Sequence, residues 1–280
     1  MNNKFIKLFL ILIIMILIFR NQKEQFIDIK LLQKKTGRNY SMCEIKIDNY
    51  KIKKINNYLQ NNCQKIPKII HQIWIGDRPP PYKFINSFRE DFMRKYQGWK
   101  YYLWDNESIK KLNLINDTIF NNEKTYHGKA DILRYEILYQ YGGIYIDADS
   151  YWLGLDLGKL IEQTNYTGFF AGRECKKCKE SIASGVLGSS LNNPISKYLI
   201  DTLKENYYKY KNLPPYKKTG PYFVDQVLHN FNITIFPYYY FYPIYWIGKN
   251  SYNMSIEQQK KNFPNSYMTQ YGYTTNNLKL

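Results

Sequence analysis

The chain divides into blocks of distinct hydrophobic texture, and the blocks set the expected elements. Leu8 to Phe19 is an unbroken apolar run, separated from Phe5 and Ile6 by Lys7 alone. It has the length of the apolar centre of a signal peptide, below the roughly 20 residues a bilayer core asks of a helix. The next residues, Arg20-Asn21-Gln22-Lys23-Glu24, offer no small-residue cleavage site. Residues 1–20 are therefore read as an uncleaved signal anchor, with a cleaved signal peptide or a buried helix as alternatives. Residues 21–62 are polar, lysine-rich and without sustained period, as in a stem or a loosely docked extension.

From about residue 63 to residue 280 the texture is that of a folded domain. Ile66 to Gly76 is a β-rich apolar run stopped by Gly76-Asp77-Arg78-Pro79-Pro80-Pro81. Tyr101-Tyr102-Leu103-Trp104 predicts a second strand, and Asn106 to Leu114 a short helix. After His127, apolar positions at Ile132, Leu133, Tyr135, Ile137 and Leu138 follow a helical period, and Gly142 and Gly143 supply the stop. Ile144-Tyr145-Ile146 then predicts a short buried strand. A first strand running into a loop is the place where open α/β sheets bind ligands.

The chemistry concentrates beyond that last strand, at Asp147-Ala148-Asp149. In extended chain, residues two apart point the same way, so both carboxylates would face one site. Carboxylates this close raise each other's pKa unless a cation intervenes, and oxygen ligands suit Mg²⁺ or Mn²⁺. Asp131 and Arg134, three apart on the helix, share a face; an ordinary surface ion pair is the alternative reading. Trp74, at the end of the first strand, lies where open α/β sheets bind ligands, and either stacks on a base or packs in the core. Of the histidines, His71 is expected to pack within its strand, His127 to lie nearer the site, and His229 to sit on a helix surface.

Composition adjusts this picture only slightly. Lys and Arg number 40 against 23 acidic residues, a net charge of +17 that favours any polyanion. The basic residues are spread along the chain without a nucleic-acid-binding signature, so no nucleic-acid partner is expected. Cys175 and Cys178 form a CxxC with no second pair at zinc-binding spacing, leaving a local disulfide in an oxidising lumen or free thiols in the cytosol. Six Asn-x-Ser/Thr sequons, at Asn39, Asn106, Asn116, Asn165, Asn232 and Asn253, are compatible with a lumenal, single-pass membrane location.

The order IPKIIHQIW at Ile66 to Trp74, followed by ADILRYEILYQYGGIYIDAD at Ala130 to Asp149, resembles the glycosyltransferases with a DXD sugar-binding region (family 32). That group includes the yeast initiating α-1,6-mannosyltransferase and capsular-sugar transferases. The resemblance covers about residues 66–245. It implies a GT-A fold, a mixed, mainly parallel sheet flanked by helices. It also implies transfer, with retention, of a hexose from a UDP- or GDP-hexose to a glycan, lipid or protein acceptor, with Mn²⁺ or Mg²⁺. By motif position, Asp149 would ligate the metal and Asp147 would reach the ribose, the sugar or a metal-bound water. Asp131 and Arg134 would hold hexose hydroxyls, and Trp74 would sit against the base. Ser184 stands where an Asn is common in the family. Lys218-Thr219-Gly220-Pro221 and Phe241-Tyr242-Pro243 match late motifs expected to shape the acceptor side. The family's His-rich C-terminal stretch is replaced by Tyr267 to Tyr273, leaving Gln270 as the candidate third metal ligand. Two other readings remain at this stage. One is a catalytically weakened, membrane-anchored glycan-binding protein of the same fold. The other is a phosphatase of the haloacid-dehalogenase type, whose motif wants Thr or Val where Tyr151 stands.

Overall fold

The strand expected after Ile66 is the second from one edge of a six-stranded sheet in the computed structural model, which describes residues 25–26, 45–62, 64–176, 178, 181–245, 253–274 and 276. The apolar run at residues 8–19, Asn39, Cys43 and Cys63 lie outside the described residues. Among the described residues no helix is long and apolar enough to cross a membrane.

β1 (Gln25–Phe26) and β2 (Lys46–Ile47) form a small antiparallel ribbon. α1 (Asn49–Asn61) follows, capped by the Asp48 carboxylate, which accepts from the Lys51 N–H. Ile45, Ile47, Ile52 and Leu59 are buried in one of the domain's two cores. The later part of the polar extension thus docks on the domain, and the Asp48 N–H donates to the Tyr198 hydroxyl at 2.9 Å.

β3 (Ile69–Ile73) leads into one helical segment made of α2 (Tyr82–Asn86), a π-helical turn (Ser87–Phe92) and α3 (Met93–Lys95). β4 (Lys100–Trp104) comes next. Where a helix over Asn106 to Leu114 was expected, only a 3₁₀ turn at Ser108–Lys111 forms. The Asp105 carboxylate accepts from the Glu107 and Ser108 N–H groups, closing a local turn that competes with helix growth. α4 (Asp117–Asn122) and α5 (Tyr126–Tyr141) precede β5 (Gly143–Ile146). The remaining elements are β6 (Ser150–Trp152), α6 (Gly158–Gln163), β7 (Phe169–Arg173), β8 (Ile182–Ser189), α7 (Pro194–Asn206), α8 (Pro215–Lys218), α9 (Pro221–Leu228), β9 (Thr234–Phe236), α10 (Ile256–Asn262) and β10 (Met268–Gln270).

The sheet order is β4-β3-β5-β8-β7-β9, with β8 antiparallel to both neighbours and every other pair parallel. The mixed, mainly parallel sheet flanked by helices is therefore present. Alternation along β5 divides its side chains between two cores: Tyr145 joins α5, α7 and α9, while Ile144 and Ile146 join the π-helical turn and α6. β6 and β10 pair antiparallel outside this sheet, bringing the C-terminal stretch against the residues that follow β5.

Cys175 and Cys178 are disulfide-bonded, between β7 and β8. Asn116, one of the sequon asparagines, is buried and donates its amide to the Ile200 carbonyl at 2.9 Å. His71 packs inside β3 as expected. His229, expected on a helix surface, is instead half-buried, with Nε2 3.1 Å from the Asp225 carboxylate.

Candidate active site

The site is built where α5 delivers the chain into β5. Thr125 caps α5 by accepting from the Gly128 N–H at 3.1 Å, and the helix then buries every residue from Asp131 to Leu138. A helix buried on this scale cannot carry charge without partners. Asp131 and Arg134 are accordingly no surface pair: their side chains are 8% and 7% exposed, and Arg134 Nη2 lies 2.9 Å from Asp131 Oδ1. Arg134 Nη1 donates to the Ser184 carbonyl at 2.6 Å, Nη2 is 3.6 Å from Asp147 Oδ1, and the guanidinium covers the Tyr145 ring. Its Nε has no hydrogen-bond partner in the folded chain.

Gly142 and Gly143 end the helix at φ +63° and +100°, backbone that L side chains rarely adopt. β5 then carries the chain to the acidic pair. Asp147 to Ser150 is not extended, as the sequence pattern suggested, but a tight turn closed by the Ser150 N–H on the Asp147 carbonyl at 3.0 Å. The two carboxylates still meet, because Gln270 on β10 lies opposite Ser150 on β6. Gln270 Nε2 is 2.8 Å from Asp147 Oδ2 and 3.5 Å from Asp149 Oδ1. The Tyr273 N–H donates to Asp149 Oδ2 at 2.8 Å, and the Tyr145 hydroxyl donates to Asp147 Oδ1 at 2.7 Å.

Burial, reinforced by the neighbouring Asp147 charge, pushes the Asp149 carboxyl up to about 7. Burial likewise raises Asp131 to about 6, against the pull of Arg134. Both shifts report negative charge held where water does not relieve it. Among the described residues no group of three or more His, Cys, Asp or Glu converges. The donor set is instead all oxygen: two carboxylates and, after rotation of its terminal amide, Gln270 Oε1. Gly185 keeps space beside it, since a Cβ there would stand 2.6 Å from Asp147 Oδ2 and 3.2 Å from Gln270 Oε1. These residues fit a hard divalent cation.

The remaining candidates fall around this centre. Ser184 is buried and meets Arg134 through its backbone carbonyl. Trp74 is half-buried at the end of β3, its indole N–H on the Arg78 carbonyl at 2.8 Å and its ring 5.9 Å from that of Tyr273. Its loop is clamped by Asn106, whose amide accepts from the Gly76 N–H at 2.9 Å and donates to the Gly76 carbonyl at 3.1 Å. His127 reaches Thr274 at 3.1 Å, next to Tyr273. Thr219 donates to Asp131 Oδ2 at 2.8 Å, so the Thr-Gly-Pro turn meets the buried Asp131–Arg134 pair.

Sequence reasoning gave no site role to Tyr145 or Gln72, and it placed Tyr242, within Phe241-Tyr242-Pro243, on the acceptor side. Gln72 donates to the Asp147 carbonyl at 3.3 Å and accepts from the Tyr101 hydroxyl at 2.7 Å. A polar residue inside an apolar strand was the signal for Gln72, and the same-face position two before Asp147 was the signal for Tyr145.

Residues 82–165 match the family described as "Glycosyltransferase sugar-binding region containing DXD motif". An uncharacterized glycosyltransferase of Acanthamoeba polyphaga mimivirus is 31% identical over 143 residues, 49% of this chain and 55% of that protein. Inositol phosphoceramide mannosyltransferase 1 of Schizosaccharomyces pombe is 34% identical over 94 residues, 31% of this chain and 28% of that protein. The chain thus spans about half the length of the first of these relatives and less of the second. Among solved structures, the PaToxG glycosyltransferase aligns with a TM-score of 0.45 and 21% identity over 64% of this chain and 75% of that one. Across residues 82–165, the stretch that contains Asp131, Arg134, Asp147 and Asp149, the chain resembles the glycosyltransferases with a DXD-containing sugar-binding region.

Proposed function

We propose that the chain is a metal-dependent glycosyltransferase of GT-A fold that transfers a hexose from a UDP- or GDP-hexose to a glycan, lipid or protein acceptor, with retention of configuration. The observation that carries this reading is the convergence of Asp131, Arg134, Asp147, Asp149 and Gln270 on one site beyond β5. Asp149 and Asp147, with Gln270 Oε1 turned inward, would hold Mn²⁺ or Mg²⁺. When bound there, the cation supplies charge neutralisation for the departing diphosphate. Asp131 and Arg134 hold hydroxyls of the donor hexose, Arg134 adding positive charge that Asp131 keeps in place. Trp74 covers the base, and Ser184 fixes Arg134 through its carbonyl. Same-face attack by the acceptor hydroxyl, without a covalent intermediate, is the route this reading favours.

The name of the Schizosaccharomyces pombe relative puts mannose first among hexoses and an inositol phosphoceramide first among acceptors. The apolar run at residues 8–19 supports a membrane-anchored enzyme, and the sequons are compatible with a domain on the lumenal side. In a panel of UDP- and GDP-sugars with Mn²⁺, the wild type should hydrolyse a donor slowly without acceptor. Asp149→Ala should abolish both hydrolysis and transfer. Activity retained in EDTA would sink the metal role. A second reading, a glycan-binding protein of the same fold with weakened turnover, draws on Gln270 in place of an imidazole. Nucleotide-sugar binding without hydrolysis would favour it.

A further inference from the structure

We infer that Tyr242 is a further donor-binding residue, its hydroxyl donating a hydrogen bond to an oxygen of the bound nucleotide sugar. The inference rests on the nucleotide-sugar reading of the site. Tyr242 is 3% exposed; the Val186 backbone N–H faces its Oη, and the hydroxyl proton has no acceptor in the folded chain. Buried hydroxyl protons are nearly always given to an acceptor, so one without an acceptor is a sign of a partner supplied from outside. Its position says which partner. A Cβ on Gly185 would meet Asp147 Oδ2 at 2.6 Å, Tyr242 Oη at 2.9 Å and Gln270 Oε1 at 3.2 Å. The phenol therefore borders the same small gap as the carboxylate and the amide, with Gly185 as its floor.

The three oxygens are not equivalent. The Asp147 carboxylate only accepts, and the Gln270 amide oxygen only accepts, whereas a phenol at neutral pH carries a proton to give. Tyr242 thus adds a donor to a cluster dominated by acceptors, and a donor there fits a phosphate oxygen or a sugar oxygen of the ligand. The ring is in place to do this before anything binds: the Tyr242 N–H donates to the Tyr238 carbonyl at 2.7 Å, and the side chain packs with Phe241 and Tyr267 in the second core. Arg134 Nε also has no partner, and Arg134 is one of the charges that act on the Tyr242 hydroxyl. Two buried donor protons without acceptors on one site are what a pre-organised ligand pocket leaves behind when no ligand is bound.

Tyr242→Phe removes one oxygen and keeps the ring. Calorimetric titration with Mn²⁺ of UDP, GDP and their hexose derivatives would compare wild type, Tyr242→Phe and Asp149→Ala, with thermal melting of each protein alone. The expected result is at least tenfold weaker donor binding by Tyr242→Phe with a melting temperature no lower than the wild type. A loss shared by the bare nucleoside diphosphate assigns the contact to phosphate, and a loss confined to the sugar nucleotide assigns it to the hexose. Tyr242→Phe binding the donor as tightly as the wild type, while Asp149→Ala loses it, overturns the inference and leaves the donor site standing. A wild type that binds no nucleotide sugar overturns both.

Discussion

Gly185 shows how little room the acidic pair has. The space a methyl group would take there is ringed by Asp147 Oδ2, Tyr242 Oη and Gln270 Oε1, none farther than 3.2 Å. Gly185→Ala therefore has to push at least one of these atoms aside, and the nearest is the carboxylate itself. Overpacking of this kind costs typically 1–3 kcal/mol of stability. The larger effect is on the site, because displacement of catalytic groups by about 1 Å can cost on the order of a hundredfold in rate. Gly185→Ala is expected to lower kcat/KM for donor hydrolysis by about that factor while the protein still folds. Kinetics beside a denaturant midpoint check it, and activity within twofold of wild type would show that the gap is not used. The same residue scale explains the charge placement: Arg134 faces Asp131 and Asp147 at once, so one guanidinium balances the helix carboxylate and the turn carboxylate.

At the scale of elements, the stretch from α5 to β5 was legible because its signals are local: a helical period, a double glycine, a short apolar strand and two acids within a few residues. Gly143 tests that continuity. Its φ is +100°, and a Cβ would stand 2.6 Å from the Ile69 carbonyl on β3. Gly143→Ala combines backbone strain with a clash against backbone that cannot rotate away, so a loss of about 3 kcal/mol is expected in the unfolding free energy. A variant as stable as wild type in urea would mean that β3 and β5 are less tightly joined than the register shows. What the sequence hid is equally physical. Gln270 reaches Asp147 across 123 positions, and Thr219 reaches Asp131 across 88, through the β6–β10 ribbon and the turn before α9. Periodicity carries no information about such pairings, so the resemblance pointed to Gln270 while its contact with both carboxylates came only from the fold. The 3₁₀ turn at Ser108–Lys111 failed as a predicted helix for a local reason, the Asp105 carboxylate capturing the N–H groups that a longer helix would have used.

For the molecule as a whole, His71 couples the centre of the sheet to pH without belonging to the site. One ring nitrogen lies 2.8 Å from the Gly142 carbonyl, so it must carry the proton; the other accepts from the Trp104 indole at 3.1 Å. Both nitrogens are satisfied only in the neutral ring, since a second proton would face the indole N–H. The groups around it, Tyr102, Trp104, Tyr141 and the Gly142 carbonyl, carry no charge to compensate an imidazolium. Burial accordingly lowers its pKa from 6.5 to about 4. The sign follows from linkage. Between those values the unfolded chain takes up a proton that the folded chain refuses, so the stability held above pH 6.5 is lost as pH falls toward about 4. The loss from this residue alone is on the order of 3 kcal/mol. Asp131, raised to about 6, and Asp149, raised to about 7, act in the opposite direction, because their folded carboxyls bind a proton more readily than the unfolded ones. The total curve mixes these groups, and a difference isolates His71. His71→Gln should be less stable than wild type at pH 7.5, and the gap should narrow by roughly that amount as pH is lowered to about 4. Urea unfolding of both proteins across this range makes the comparison, and a gap that stays constant would mean that the imidazole is protonated in the folded core and that the neutral-ring assignment is wrong.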